Sequence, residues 1–147
     1  MRVLKLMAII GATGFAVHLW QGYAHRPVNF GAAAAEPSSN GFIATAMPEG
    51  AQENTVLILA PVHCPSKAAQ RADALSRKLT EMNIPNKRGN SFSLRISNPT
   101  PEQLASMQQA QSVLADEIPA VFINGMGKSN PSTEEVAAEY KRTVARN

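Results

Sequence analysis

The residues best suited to chemistry stand together in Pro61-Val62-His63-Cys64-Pro65-Ser66-Lys67, around the only cysteine of the chain. Pro65 suits the first position of a helix, because its missing N–H would be unpaired there in any case. That reading puts Cys64 at the N-cap, where unpaired backbone N–H groups and the helix dipole favour negative charge. The thiolate is the reactive form of cysteine, and such a position lowers the thiol pKa from its free value of about 8.5. Lys67, one turn on, would add a cation near the sulfur, and His63 a donor. A lone thiolate can attack a disulfide and form a mixed disulfide, but an outside thiol must then release it. The plainer readings are an inert cysteine on a scaffold that only binds, a loop histidine at 63 and a solvated lysine at 67.

Other chemistries are excluded more simply. One cysteine rules out an intramolecular disulfide and any multi-cysteine metal or cluster site within one chain. His18 and His25 are too few for a metal site, so no metal is expected. No Gly-rich phosphate loop, Ser/His/Asp set or paired-carboxylate motif stands out. Aromatic residues make up only 5% of the 147 residues, which counts against a stacking platform for single-stranded nucleic acid. The net charge of +3 is unevenly spread: seven basic residues between 67 and 95 face only Asp73 and Glu81, whereas six acidic residues between 102 and 139 face only Lys128. A basic half of this kind either attracts an anionic partner or is simply a solvated helix face and loop.

The elements that must position this motif are legible from patterning. Thr55–Ala60 is a short apolar, β-branched run ended by Pro61, as in a strand buried on both faces. A helix over about 65–83 carries Ala68, Ala72, Leu75, Leu79 and Met82 on one stripe. Ser91–Ile96 alternates polar and apolar, predicting a strand with Phe92, Leu94 and Ile96 inward. Thr100-Pro101-Glu102-Gln103 is a capping box that opens a helix to about 115, with Leu104, Met107, Ala110 or Gln111, and Leu114 on its face. Ile118–Ile123 is a strand, and Asn124-Gly125 turns it into a hairpin with a brief return over 126–129. Ser132-Thr133-Glu134-Glu135 is a second capping box, opening a last helix to about 146 with Val136, Tyr140 and Val144 inward. The order is β-α-β-α-β-β-α, an α/β fold whose first two strands lie parallel and whose hairpin adds an antiparallel pair.

Ahead of this domain, residues 55–147, stand two further segments. Val3 to Ala24 is apolar apart from Lys5, His18 and Gln21, with Thr13 a mild exception. As a helix it would be about 33 Å long, enough for a bilayer core of about 30 Å. Arg2 and Lys5 precede it, which keeps the N-terminus cytoplasmic and sends the remainder outward. Residues 1–24 are therefore a signal-anchor or, with Gly22-Tyr23-Ala24 as cleavage site, a signal peptide. The domain is expected in the periplasm, either on a single-pass inner-membrane anchor or secreted. Residues 25–54, with three prolines, a run of four alanines and Ser38-Ser39-Asn40-Gly41, read as a flexible linker. Whether Phe42 and Ile43 dock on the domain is open at this level.

The element order, the Cys64-Pro65 pair at the first helix and Ile118-Pro119-Ala120-Val121-Phe122-Ile123-Asn124-Gly125 before the hairpin resemble the thioredoxin-like superfamily, with glutaredoxins the closest branch. The resemblance covers about 55–146. It implies a cis peptide bond before Pro119, which would lie beside Cys64 and leave the Ile118 backbone free to pair with an extended peptide or glutathione. Pro65, Ile118 and Pro119 would then contact substrate. The departures carry meaning. Lys67 stands where the second cysteine of a Cys-x-x-Cys pair would be, Pro61 replaces a glutathione-binding lysine, and Gly127–Pro131 replaces a Gly-Gly and acidic pair. The monothiol branch that holds iron–sulfur clusters reads Cys-Gly-Phe-Ser, which this chain does not. No resident cofactor is implied; glutathione would enter only as an outside thiol. The expected function is monothiol thiol–disulfide exchange through Cys64 with a protein or glutathione partner. The alternative is a redox-inactive binding module of an envelope or secretion assembly.

Overall fold

A computed structural model describes residues 36–62 and 65–145. The expected membrane segment 1–24, the linker residues 25–35, and His63 and Cys64 lie outside the described residues. Among the described residues, no helix is long and apolar enough to cross a membrane.

The chain forms a five-stranded mixed sheet: β1 (Ile43–Ala44), β2 (Val56–Leu59), β3 (Asn86–Gly89), β4 (Ala120–Ile123) and β5 (Met126–Ser129), in the order β1-β5-β4-β2-β3. Three helices join them: α1 (Lys67–Glu81), α2 (Pro101–Ala115) and α3 (Thr133–Val144). As expected of an α/β chain, β2 and β3 are parallel and β4 and β5 form an antiparallel hairpin. Asn124 and Gly125 both take positive φ, 44° and 79°, as a two-residue hairpin turn requires. β2 also pairs antiparallel with β4, Leu57 opposite Phe122 and Leu59 opposite Ala120.

Side chains alternate across the sheet, so it carries two cores. On one face, Val56, Ile58, Val121 and Ile123 pack with Ala72, Leu75 and Leu79 of α1 and Val136 and Ala137 of α3. On the other, Leu59, Ala120 and Phe122 pack with Ala110 and Val113 of α2. Both expected capping boxes are present, Thr100 with Gln103 and Ser132 with Glu135. The helix stripes differ in detail. Ile84 is buried in the α1 core while Met82 is exposed, and α3 buries Glu139 and Thr143 beside Val136.

The third expected strand is displaced. The ladder forms at Asn86–Gly89 and not at 91–96. The turn through Asn83 and Pro85 delivers the chain to β2 at once, Val56 N–H donating to the Pro85 carbonyl at 2.9 Å. Lys87 and Arg88 hid this strand: it lies at the sheet edge, where Lys87 stays exposed and Arg88 pairs with Asp73 on α1. At Gly89 a Cβ would sit 2.8 Å from Leu59 Cδ2, so a larger residue there would have to displace the Leu59 side chain. The alternation over 91–96 is nonetheless real, because Phe92, Leu94 and Ile96 are half-buried and Ser91, Ser93 and Arg95 exposed. It reflects a segment lying over the sheet, with Phe92 tilted against Phe122 at 5.2 Å.

The expected linker also needs correction. From residue 36 onward it joins the fold: β1 pairs with β5, and Phe42 is fully buried. The attachment is polar as well as apolar. Glu139, fully buried, accepts from Ser38 Oγ (3.0 Å), Asn40 Nδ2 (2.9 Å) and Arg142 Nε (3.0 Å), and Arg142 Nη2 closes the fork on its second oxygen. Lys128 Nζ donates to the Asn40 carbonyl at 2.9 Å and pairs with Glu135 at 2.8 Å. Burial alone pushes the Glu139 carboxyl up. The hydrogen bonds from Arg142, Asn40 and Ser38 outweigh that and hold it below the usual glutamate range.

Two outcomes follow. Phe42→Ala should cost about 3–5 kcal/mol in urea unfolding of the whole chain, the loss expected of a core phenylalanine and not of a linker residue. Because the Glu139 pKa is lowered on folding, its contribution is complete above the unfolded glutamate value and lost as pH falls through the lower folded value. Glu139→Gln should therefore cost on the order of 3 kcal/mol at neutral pH and flatten the acid limb of the stability–pH curve. Parallel acid limbs in mutant and wild type would disprove that assignment.

Candidate functional site

The antiparallel register of β2 and β4 decides what lies near the cysteine motif. Leu59 opposite Ala120 puts the exit of β2 beside the entry of β4. The loop that begins at Ala60 and the segment Glu117–Pro119 therefore share one end of the sheet. Pro61 and Ile118 line a single groove of about 320 Å³, walled by Leu59, Ala60, Phe92, Leu114 and Ala120 with Asn90 and Ser91 at its polar end. Pro61, Val62 and Pro65 are exposed around it, and Pro119 is fully buried behind it. The Ile118–Pro119 peptide is cis, as the resemblance implies. Pro119 O accepts from Asn130 N–H at 2.7 Å, which ties this entry to the end of the hairpin.

Helix α1 starts two residues later than its sequence suggests for Cys64. Ser66 is the N-cap, with extended φ −67° and ψ 152°, and its side chain accepts from Ala69 N–H at 3.2 Å. Serine competes for this role because its hydroxyl satisfies an otherwise unpaired N–H, whereas proline at the first helical position only avoids adding one. Pro65 therefore precedes the cap, with its carbonyl held by Gln70 Nε2 at 3.1 Å, and Lys67 is the first helical residue, exposed. Cys64 is two positions before the cap in the chain, and the N-cap role expected for it belongs to Ser66.

Two arginines that the motif reading passed over hold the backbone around the groove. Arg71 of α1 donates from Nη2 to the Ile118 carbonyl at 2.5 Å and pairs with Glu117 at 3.0 Å. The expected freedom of the Ile118 backbone is thus lost at its carbonyl. Arg88 of β3 pairs with Asp73 and reaches the Pro61 carbonyl at 3.5 Å; its buried Nε has no partner among the described residues. In sequence these are two of the seven basic residues between 67 and 95, and no local signal set them apart from the rest. Asp116 accepts from Ser129 Oγ at 2.7 Å; that bond, with the Glu117 backbone amide, lowers its carboxyl pKa and keeps it ionised.

Of the expected site residues, Ile118 lines the groove and Pro119 follows it through the cis bond, while Pro65 and Lys67 stand exposed at the start of α1; His63 and Cys64 lie outside the described residues. No group of three His, Cys, Asp or Glu side chains that could hold a metal ion occurs among the described residues. Comparison with family models, with curated proteins and with solved structures gave no match. The reading of the site rests on its own chemistry. Ser66→Ala should lower stability by about 1 kcal/mol in urea unfolding, the usual cost of a lost N-cap hydroxyl. No measurable change would mean that another group caps α1.

Proposed function

We propose that this chain is a thioredoxin-like, glutaredoxin-related domain that performs monothiol thiol–disulfide exchange through Cys64. The observation that carries the proposal is the Leu59–Ala120 register, through which Pro61 and Ile118 line one groove at the end of the sheet that bears the cysteine motif. The sheet supports it too, with a parallel first pair and an antiparallel hairpin in the order expected of that family. Cys64 thiolate attacks one sulfur of a partner disulfide; a new S–S bond forms, the old one breaks, and the departing thiolate takes a proton from water. A second, outside thiol, glutathione or a protein cysteine, then attacks the partner's sulfur of the mixed disulfide as thiolate, forms a new disulfide with it and expels Cys64 as thiolate. The apolar groove would seat the partner chain, with Ile118 on its wall and Pro119 buried behind. Residues 1–24 would hold the domain at the inner membrane facing the periplasm, or export it there.

A second reading, a redox-inactive module that binds an envelope partner, is favoured by one observation. Ser66 and not Cys64 caps α1, which removes the closest helix-terminal stabilisation of a thiolate. The pH dependence of Cys64 alkylation separates the two. Exchange predicts a midpoint below about 8.5 and a fast reaction in the folded state. It also predicts that Cys64→Ser abolishes reduction of a mixed-disulfide substrate while circular dichroism stays unchanged. A midpoint at or above the free value, together with a wild-type protein that reduces no mixed disulfide, would leave only the binding module.

A further inference from the structure

We infer that Arg71 is a specificity-determining residue that selects an extended partner segment carrying an acidic side chain next to an apolar one. The inference rests on the thiol-exchange reading only in supposing that this segment also bears the disulfide; the binding step does not require the sulfur.

The argument begins with what Arg71 is not doing. Its side chain is 44% exposed, and that of its partner Glu117 is 59% exposed. An ion pair this open to water contributes little to stability. The guanidinium has five N–H donors in a planar fork, and its contacts here are the Ile118 carbonyl and the Glu117 carboxylate. Glu117 thus occupies, by a weak and exchangeable contact, the place a partner's carboxylate would take. Lys67 stands one turn before Arg71 on α1, also exposed, so the same side carries a second cation.

Placement then gives the partner its pattern. Arg71 comes from α1, which packs on the sheet face formed by Val56 and Ile58. The groove is walled by Leu59, Phe92, Leu114 and Ala120, on the α2 side. Ile118 borders both: it lines the groove, packs its side chain against the α1-side core and accepts from Arg71 with its carbonyl. It is a ridge with an apolar trough on one flank and a cationic fork on the other. A chain lying extended along that ridge sends successive side chains to its opposite flanks. An apolar residue in the trough therefore places its immediate neighbour toward Arg71, whereas a residue two positions away returns to the trough side. The segment recognised is apolar then acidic at adjacent positions.

The test uses full-length Cys64→Ser protein, so that binding is read without exchange. Three peptides are titrated, with leucine beside glutamate, with the same residues two positions apart, and with lysine replacing the glutamate. The readout is the ¹⁵N shift of the Ile118 amide and of the Arg71 guanidinium. The adjacent glutamate peptide should bind about fivefold tighter than the lysine peptide at low ionic strength, the upper end for an exposed ion pair, and lose this lead in high salt. Arg71→Gln should erase the lead. Glu117→Gln should enlarge it, because the internal competitor is gone; if Arg71 merely braces the loop, Glu117→Gln leaves binding unchanged or weakens it. Equal binding of the three peptides, or no shift with any of them, overturns the inference. A charge preference in a protein whose wild type forms no mixed disulfide would retire exchange and keep the selection; an active thiol without charge preference would do the reverse.

Discussion

The antiparallel pairing of β2 with β4 is the constraint on which the rest of the structure depends. β2 is an interior strand, with the edge strand β3 parallel on one side and the central strand β4 antiparallel on the other. Its direction sends the cysteine-bearing loop out at the same end where β4 begins. Its register assigns Ile58 and Val121 to one core and Leu59 and Ala120 to the other. A slip by one residue would turn every one of those side chains to the opposite face. The groove at Pro61 and Ile118 would go with it, since it exists only where the two strand ends coincide.

Around this centre, polar contacts decide where irregular chain can rest. Residues 36–45 cross to the far edge of the sheet, where β1 pairs with β5, and are held by the buried carboxylate of Glu139. A buried charge is tolerated only when paired and hydrogen-bonded, and Glu139 has three side-chain partners in Arg142, Asn40 and Ser38. Gly41 matters in the same place, because its φ of +75° turns the chain where a Cβ would meet Lys128 Nζ at 2.9 Å. The stretch that composition marks as a linker is in part a latch onto α3 and β5.

At the other end of the sheet, Arg71 and Arg88 reach the carbonyls of Ile118 and Pro61, one on each of the segments that border the groove. Guanidinium suits this work because it donates in several directions at once while keeping its charge. The positive charge of residues 67–95 is therefore not only a solvated face. Part of it, at Arg71 and Arg88, braces backbone at the candidate site, and Lys67 is exposed.

The sequence by itself determined the elements whose signals are local. The capping boxes at Thr100 and Ser132, the Asn124-Gly125 turn and the apolar run of β2 each bind residues within a few positions, so pattern sufficed. The α1 stripe did nearly as well, missing the exchange of Ala68 for Ala69 and of Met82 for Ile84. Tertiary structure decided what depends on distant partners. An edge strand of Asn86-Lys87-Arg88-Gly89 looks like loop until β2 and Asp73 accept it. Phe42 looks like linker until β5 and Glu139 are in place, and nothing near Arg71 in the chain announces the Ile118 carbonyl. The site is the exception, a local signal overlooked: Cys64-Pro65 advertised a helix start, but the hydroxyl of Ser66, accepting from Ala69 N–H, made the better cap. Local propensity proposes such boundaries, and the competition for hydrogen-bond partners disposes of them.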